Sequence, residues 1–166
     1  PLDQKRITSE ACLHHLWFSV ADYATKGSLI MWNPAVKTPA DKDEIWRALL
    51  DDRIDVIATD HAPHTFEEKS QPYLGAPSGG PLVQHALLAM LEASKEGKIS
   101  RARVVEKMAH AVATCFQLEE RGFIREGYFA DLVLVNPAVP TSVTKESLFY
   151  QCGWSPLEGT TFSHRI

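Results

Sequence analysis

The 166-residue sequence has only three cysteines, Cys12, Cys115 and Cys152, far apart and odd in number. That argues against a disulfide-stapled scaffold and fits a reducing, cytoplasmic setting. It has no apolar run approaching the ~20 residues of a membrane span. It has no positive excess: 17 Lys and Arg stand against 21 Asp and Glu, a formal net charge of −4. Nothing in that balance draws the chain to nucleic acid or to an anionic membrane. No internal repeat or low-complexity tract is visible. A His-x-His pair, a Cys pair and a His-Glu-x-x-His helix are all missing, so no complete zinc site is spelled out. What remains is an ordinary globular composition, 45% apolar and 23% charged. A chain of this length can bury roughly 70% of the surface its unfolded form exposes.

The apolar segments alternate in type. Leu29–Trp32 reads as a short strand stopped by Asn33-Pro34. Thr38-Pro39-Ala40-Asp41 reads as a helix start, with a capping Thr, a Pro in the first turn and an acidic residue closing the box. Ile45, Trp46, Leu49 and Leu50 continue at helical spacing. Ile54–Ala58 is short and β-branched, as a buried parallel strand is. The order is strand, helix, strand. Residues 61–80 form a long polar loop, a length that points to function or mobility. A second apolar helix is expected from Pro81 to Gly97, a third capped by Ser100, and a short one at Ala111–Phe116. Gly122 and Gly127 bracket a turn, and Ala130–Val135 reads as a strand. The expected boundary lies near Glu120, with residues 1–120 an α/β part and 121–166 a small β part.

The chemistry gathers at strand ends. Asp60 is the first charged residue after Ile54–Thr59. In an α/β barrel, side chains at the C-terminal strand ends converge on one mouth. Asp60 there suits a metal ligand or general base, or simply a turn cap. His61-Ala62-Pro63-His64 follows, a polar cluster that is costly to bury without a task. His14-His15 fits one exposed and one hydrogen-bonded imidazole, or a ligand. His85 and His110 lie in helices as structural side chains. Ser78-Gly79-Gly80 precedes a helix, where backbone N–H groups can hold an anion or make a plain turn. Cys115 and Cys152 read as packing residues.

Ala58-Thr59-Asp60-His61-Ala62-Pro63-His64, with Lys69 five residues later, resembles the second signature of the dihydroorotases: small residue, Ser/Thr, Asp, any, Ala-Pro-His, four residues, Lys. Asn33-Pro34 resembles the family's Asn-Pro segment, although Ala35, Val36 and Lys37 depart from its Pro-Leu-Arg. Ala76-Pro77-Ser78-Gly79 resembles its Ala-Pro-x-Gly loop. His14-His15-Leu16 resembles its Pro-His-His-Leu, with Leu13 in place of Pro. Gly122–Val133 resembles the stretch where amidohydrolases re-enter their small β-sandwich domain.

The resemblance implies the C-terminal part of a TIM-type (β/α)8 metal-dependent hydrolase barrel plus part of a β-sandwich. It implies reversible hydrolysis of dihydroorotate to N-carbamoyl-aspartate in pyrimidine biosynthesis, with one or two zinc ions. By carry-over, Asp60 binds zinc and moves the catalytic proton, Asn33 and His64 bind substrate, and Ser78 and Gly79 offer it backbone groups. Sister activities of the allantoinase or dihydropyrimidinase type, or a non-catalytic scaffold, are the alternatives. The partners implied are a small-molecule substrate and either a homodimer or aspartate transcarbamoylase, with no nucleic acid and no membrane. The family's remaining zinc ligands lie upstream of the matched region. Pro1 in place of Met and an end at Ile166 read as cut ends, so this chain by itself is expected to lack zinc-dependent turnover. Stoichiometric zinc and hydrolysis of dihydroorotate by the 166-residue chain would overturn that expectation.

Overall fold

The structure, a computed structural model, describes residues 2–166. β1 (Glu10–Cys12) and β2 (Val56–Ala58) pair in parallel, with Cys12 opposite Ala58. Parallel neighbours require a crossover, made here by α1 (Leu13–Trp17), α2 (Tyr23–Lys26) and α3 (Pro39–Leu50). α3 begins as its sequence dictates. The Thr38 hydroxyl accepts the Asp41 N–H, the Asp41 carboxylate accepts the Thr38 N–H, and Pro39 occupies the first turn.

The apolar run at 29–32 is not a strand, and β2 pairs with β1 instead. Gly27–Ile30 forms a 3-10 turn, and Met31 and Trp32 lie outside any ladder. The Met31 carbonyl accepts the Gly79 N–H at 2.9 Å and the Lys69 ammonium at 3.1 Å. Those bonds take the place of strand pairing. Ile30 and Trp32 are nevertheless buried, which is why the segment carries the composition of a strand.

A single helical turn, α4 (Phe66–Lys69), interrupts the 61–80 loop and is capped by Thr65. The second long apolar segment opens as a 3-10 turn at Val83–His85 and becomes α5 (Ala86–Lys95). Ser100 caps α6 (Arg101–Val105), a π-helical turn spans Glu106–His110, and α7 (Ala111–Cys115) follows. No helix among the described residues is long and apolar enough to cross a membrane.

Leu13, Ile30, Leu49, Leu82 and Ala89 are completely buried in one cluster that also takes in Val143, Leu157 and Phe162. The core therefore continues past residue 120. β3 (Thr141–Ser142) and β4 (Thr161–Phe162) pair antiparallel. The Ser163 N–H donates to Glu92 on α5 at 2.7 Å, and Gln84 both donates to the Ser147 carbonyl and accepts the Phe149 N–H.

The strand expected at Ala130–Val135 is absent. Leu132, Val133 and Leu134 are 60%, 59% and 87% exposed, and these residues have no ladder partner among the described residues. β propensity makes a strand only where a neighbour takes the backbone N–H and C=O groups.

Charges fix the entry side of both strands. Buried Lys107 donates to Asp52 at 2.8 Å and to the Ile54 carbonyl at 2.6 Å, and Arg103 joins the same carboxylate. These donors, Lys107 foremost, hold the Asp52 carboxyl below its usual pKa. Asp55 accepts from Lys5 at 2.5 Å and from the Ser9 N–H at 3.0 Å. The tethers hold the strand starts together, and the register brings their ends out side by side.

Candidate active site

Because Cys12 and Ala58 are register partners, the residues that follow them emerge at one edge. Asp60 takes a left-handed backbone, φ 47°, a region that Asp enters more readily than most residues. It is exposed, and its carboxylate has no hydrogen-bond partner among the described residues. Burial first, then the charges of Glu10 and Asp60, push the Cys12 thiol up to about 11. The Asp60 charge is therefore felt across both strand ends.

On the β1 side the two imidazoles behave differently from the expected pair. His14 is buried and lies flat on Trp32, 4.3 Å between ring centroids at an interplanar angle of 5°. His15 is half-buried, and its Nε2 sits 2.9 Å from the Pro34 carbonyl. That contact ties α1 to the segment carrying Asn33. Asn33 itself is exposed, and its side-chain amide has no partner among the described residues. Trp32 also underlies the opposite loop: a Cβ at Gly80 would meet its ring at 2.8 Å.

On the β2 side the 61–80 loop folds back on itself. His61 bridges to Gly80, and its Nδ1 accepts the Leu82 N–H at 3.1 Å, which caps the turn leading into α5. His64 places Nε2 3.1 Å from the Ser78 carbonyl, while its own carbonyl accepts the Trp154 indole N–H at 2.8 Å. Gly79 has φ +123°, and a Cβ there would sit 2.6 Å from the Ala62 carbonyl. Glycine is required at this position by backbone conformation and by space alike.

The fold thus brings His64, Ser78 and Gly79 into one unit and joins that unit to the Asn33 segment through the Gly79–Met31 bond. Asp60 stands where the 61–80 loop leaves β2. The expected backbone offering is narrower than the sequence suggests. The Gly79 N–H is already spent on Met31; the Ser78 N–H and the Gly79 carbonyl have no partner among the described residues. An open cavity of about 1020 Å³ lies beside the unit, lined by His61, His64, Glu68, Gln84, Tyr150 and Cys152 among others. Asp60 and Asn33 are not among its walls.

No group of three or more His, Cys, Asp or Glu among the described residues could hold a metal ion. An exposed carboxylate with uncommitted hard oxygens fits one ligand of a zinc site, and a site needs three or four. Trp32 and Trp154, which carry no site signal in the sequence, support the loops from below and from the C-terminal segment.

No family model matches the chain. It is 41% identical to a dihydroorotase of Halobacterium salinarum over 152 residues, covering 92% of this chain and 36% of that protein. It is 35% identical to an allantoinase of Bacillus velezensis over 164 residues, 96% of this chain and 35% of that one. A dihydroorotase of Archaeoglobus fulgidus is 36% identical over 92% of this chain. The chain spans little more than a third of the length of these relatives. Among solved structures, an L-hydantoinase (dihydropyrimidinase) from Arthrobacter aurescens superposes with a TM-score of 0.86 at 23% identity, over 95% of this chain and 36% of that one. A D-hydantoinase gives 0.85 at 24% identity. At these identities the structures establish a shared fold.

Burial, then His15, pushes His14 down to about 3 from 6.5, with a hydrogen bond to the Thr59 backbone pulling the other way. The unfolded chain takes up a proton near 6.5 that the folded chain resists until about 3. This group's contribution is therefore lost as pH falls through that window. His14→Phe keeps a flat ring on Trp32 and removes the titration. It is expected to flatten the acid-side decline in Tm; a decline as steep as wild type would acquit His14.

Proposed function

The chain is dihydroorotase-like in sequence along 92% of its length, and from that premise we propose that it supplies one side of a dihydroorotase active site. One observation carries the reading. Asp60, exposed and uncommitted after β2, directly precedes His61, whose bridge to Gly80 leads into a linked unit of His64, Ser78, Gly79 and the Asn33 segment. In this reading β1 and β2 are adjacent strands of a (β/α)8 barrel. Residues 121–166 contribute to a small β-sandwich domain, their last third packed back against α5.

The reaction adds water across a ring amide. The C–N bond of dihydroorotate breaks, the carbonyl carbon becomes the carboxylate of N-carbamoyl-aspartate, and the ring nitrogen gains a proton. Asp60 would hold zinc, the other ligands lying outside this chain. A zinc ion there supplies a water whose pKa is lowered to about 7. The Asp60 carboxylate would hold the proton that hydrolysis releases and pass it to the leaving nitrogen. The Asn33 amide binds the substrate, and the His64 Nε2–H exchanges its bond to the Ser78 carbonyl for the substrate carboxylate. The Ser78 N–H and the Gly79 carbonyl complement the ring's own acceptor and donor.

A second reading, another cyclic amide hydrolase, draws support from the 35% identity to an allantoinase. Assaying the full-length, zinc-loaded protein on dihydroorotate and on allantoin separates the two. In that protein Asp60→Asn keeps the shape and removes the base, so turnover is expected to fall by at least ~10³-fold with the fold intact, within the roughly 10²–10⁴-fold that a positioned acid or base commonly contributes. Near-normal turnover removes Asp60 from the role. His64→Ala is expected to raise KM about tenfold or more, the loss of one charge-assisted hydrogen bond. Unchanged KM and kcat would contradict the assignment.

A further inference from the structure

Lys69 is completely buried. Its ammonium donates to the Pro77 carbonyl at 2.8 Å and to the Met31 carbonyl at 3.1 Å. Neither acceptor is a carboxylate, and Lys69 takes part in no ion pair among the described residues. A buried charge held by neutral carbonyls alone is an expensive way to fill space, and a well-packed apolar side chain would serve stability as well or better. Burial lowers the Lys69 pKa from 10.5 to about 8, the mark of that cost.

The two carbonyls belong to different loops. Met31 lies two residues before Asn33, and Pro77 lies directly before Ser78. The Met31 carbonyl also accepts the Gly79 N–H. One ammonium and one amide thus pin the Asn33 segment to the Ser78–Gly79 segment. The lysine is itself held at the end of α4, whose start is fixed by the Thr65–Glu68 capping box, and the Ser28 hydroxyl donates to the Lys69 carbonyl.

We propose that Lys69 is a positioning residue, its ammonium clamping the Met31 and Pro77 carbonyls so that Asn33, Ser78 and Gly79 meet one substrate in fixed register. This rests on the reading that those three residues bind substrate. Lys69 touches no reacting atom, so its loss loosens the site without removing a chemical group from it. Binding that depends on two loops acting together suffers first.

The test uses the full-length, zinc-loaded protein and Lys69→Met, which keeps length and removes the donors. Two readouts are taken: amide hydrogen exchange at Gly79, and steady-state kinetics on dihydroorotate. The expected result is exchange at Gly79 at least ~10-fold faster, KM raised at least ~10-fold, and kcat changed by less than ~3-fold. An unchanged KM overturns the positioning role whatever happens to exchange, and so does a kcat loss without a KM rise. Should Lys69→Met not fold, the wild type decides. The clamp requires the Gly79 amide to exchange far more slowly than that of Leu74, which is 97% exposed on the same loop, and equal rates overturn it. If the wild type hydrolyses no cyclic amide, the substrate reading fails, while the exchange comparison still judges the clamp.

Discussion

Two parallel strands of three residues each decide where the chemistry of this chain can be. Their register sets Cys12 against Ala58, so whatever follows β1 and whatever follows β2 must share one edge. The buried Lys107 and the Asp55 anchor act at the other end, holding the strand starts through Asp52, Ile54, Lys5 and Ser9. Such short strands have few ladder bonds, and charge-assisted bonds to buried partners reinforce them. The edge that carries Asp60 is thus aligned by contacts made at the opposite face.

Above that edge a flat aromatic floor takes over. Trp32 stacks on His14 and fits beneath Gly80, joining the β1 side to the loop from the β2 side. Aromatic pairs of this kind contribute about 0.5–1.5 kcal/mol beyond their buried area. Burial, then His15, lowers the His14 pKa to about 3, so the ring that lies there is neutral. Trp154 adds a hold from the C-terminal segment through the His64 carbonyl. The site is therefore assembled by residues that have no part in its chemistry.

What the sequence revealed follows the range of the forces involved. The start of α3 was legible because a capping box is complete within four residues, Thr38 to Asp41. The caps at Ser100 and the turn at Gly97 were local in the same way, and the Asp60–His64 signature is a contiguous string. The strand misread at 29–32 failed because burial looks alike in a strand and in a loop whose carbonyl is taken by Gly79 and Lys69. The segment at 130–135 failed because pairing depends on a second segment that the string does not name. The bond from Trp154 to His64 spans 90 positions, and no local pattern announces it. His61 stands out in the sequence as part of a polar cluster, yet its Nδ1 serves the backbone of Leu82; a ring nitrogen's partner is a fact of folding.

The approach of Gly80 to Trp32 carries a consequence for variation. Gly80 has an ordinary backbone conformation, so nothing forbids a side chain there except the indole ring 2.8 Å from where a Cβ would sit. Gly79, next to it, is fixed by its dihedral angle as well as by its space. Position 79 is closed whatever its neighbours do, whereas position 80 is closed only while position 32 holds a large flat ring. Positions 32 and 80 are therefore expected to vary together: a smaller residue at 32 would admit a larger one at 80, up to the Trp154 ring 3.4 Å away.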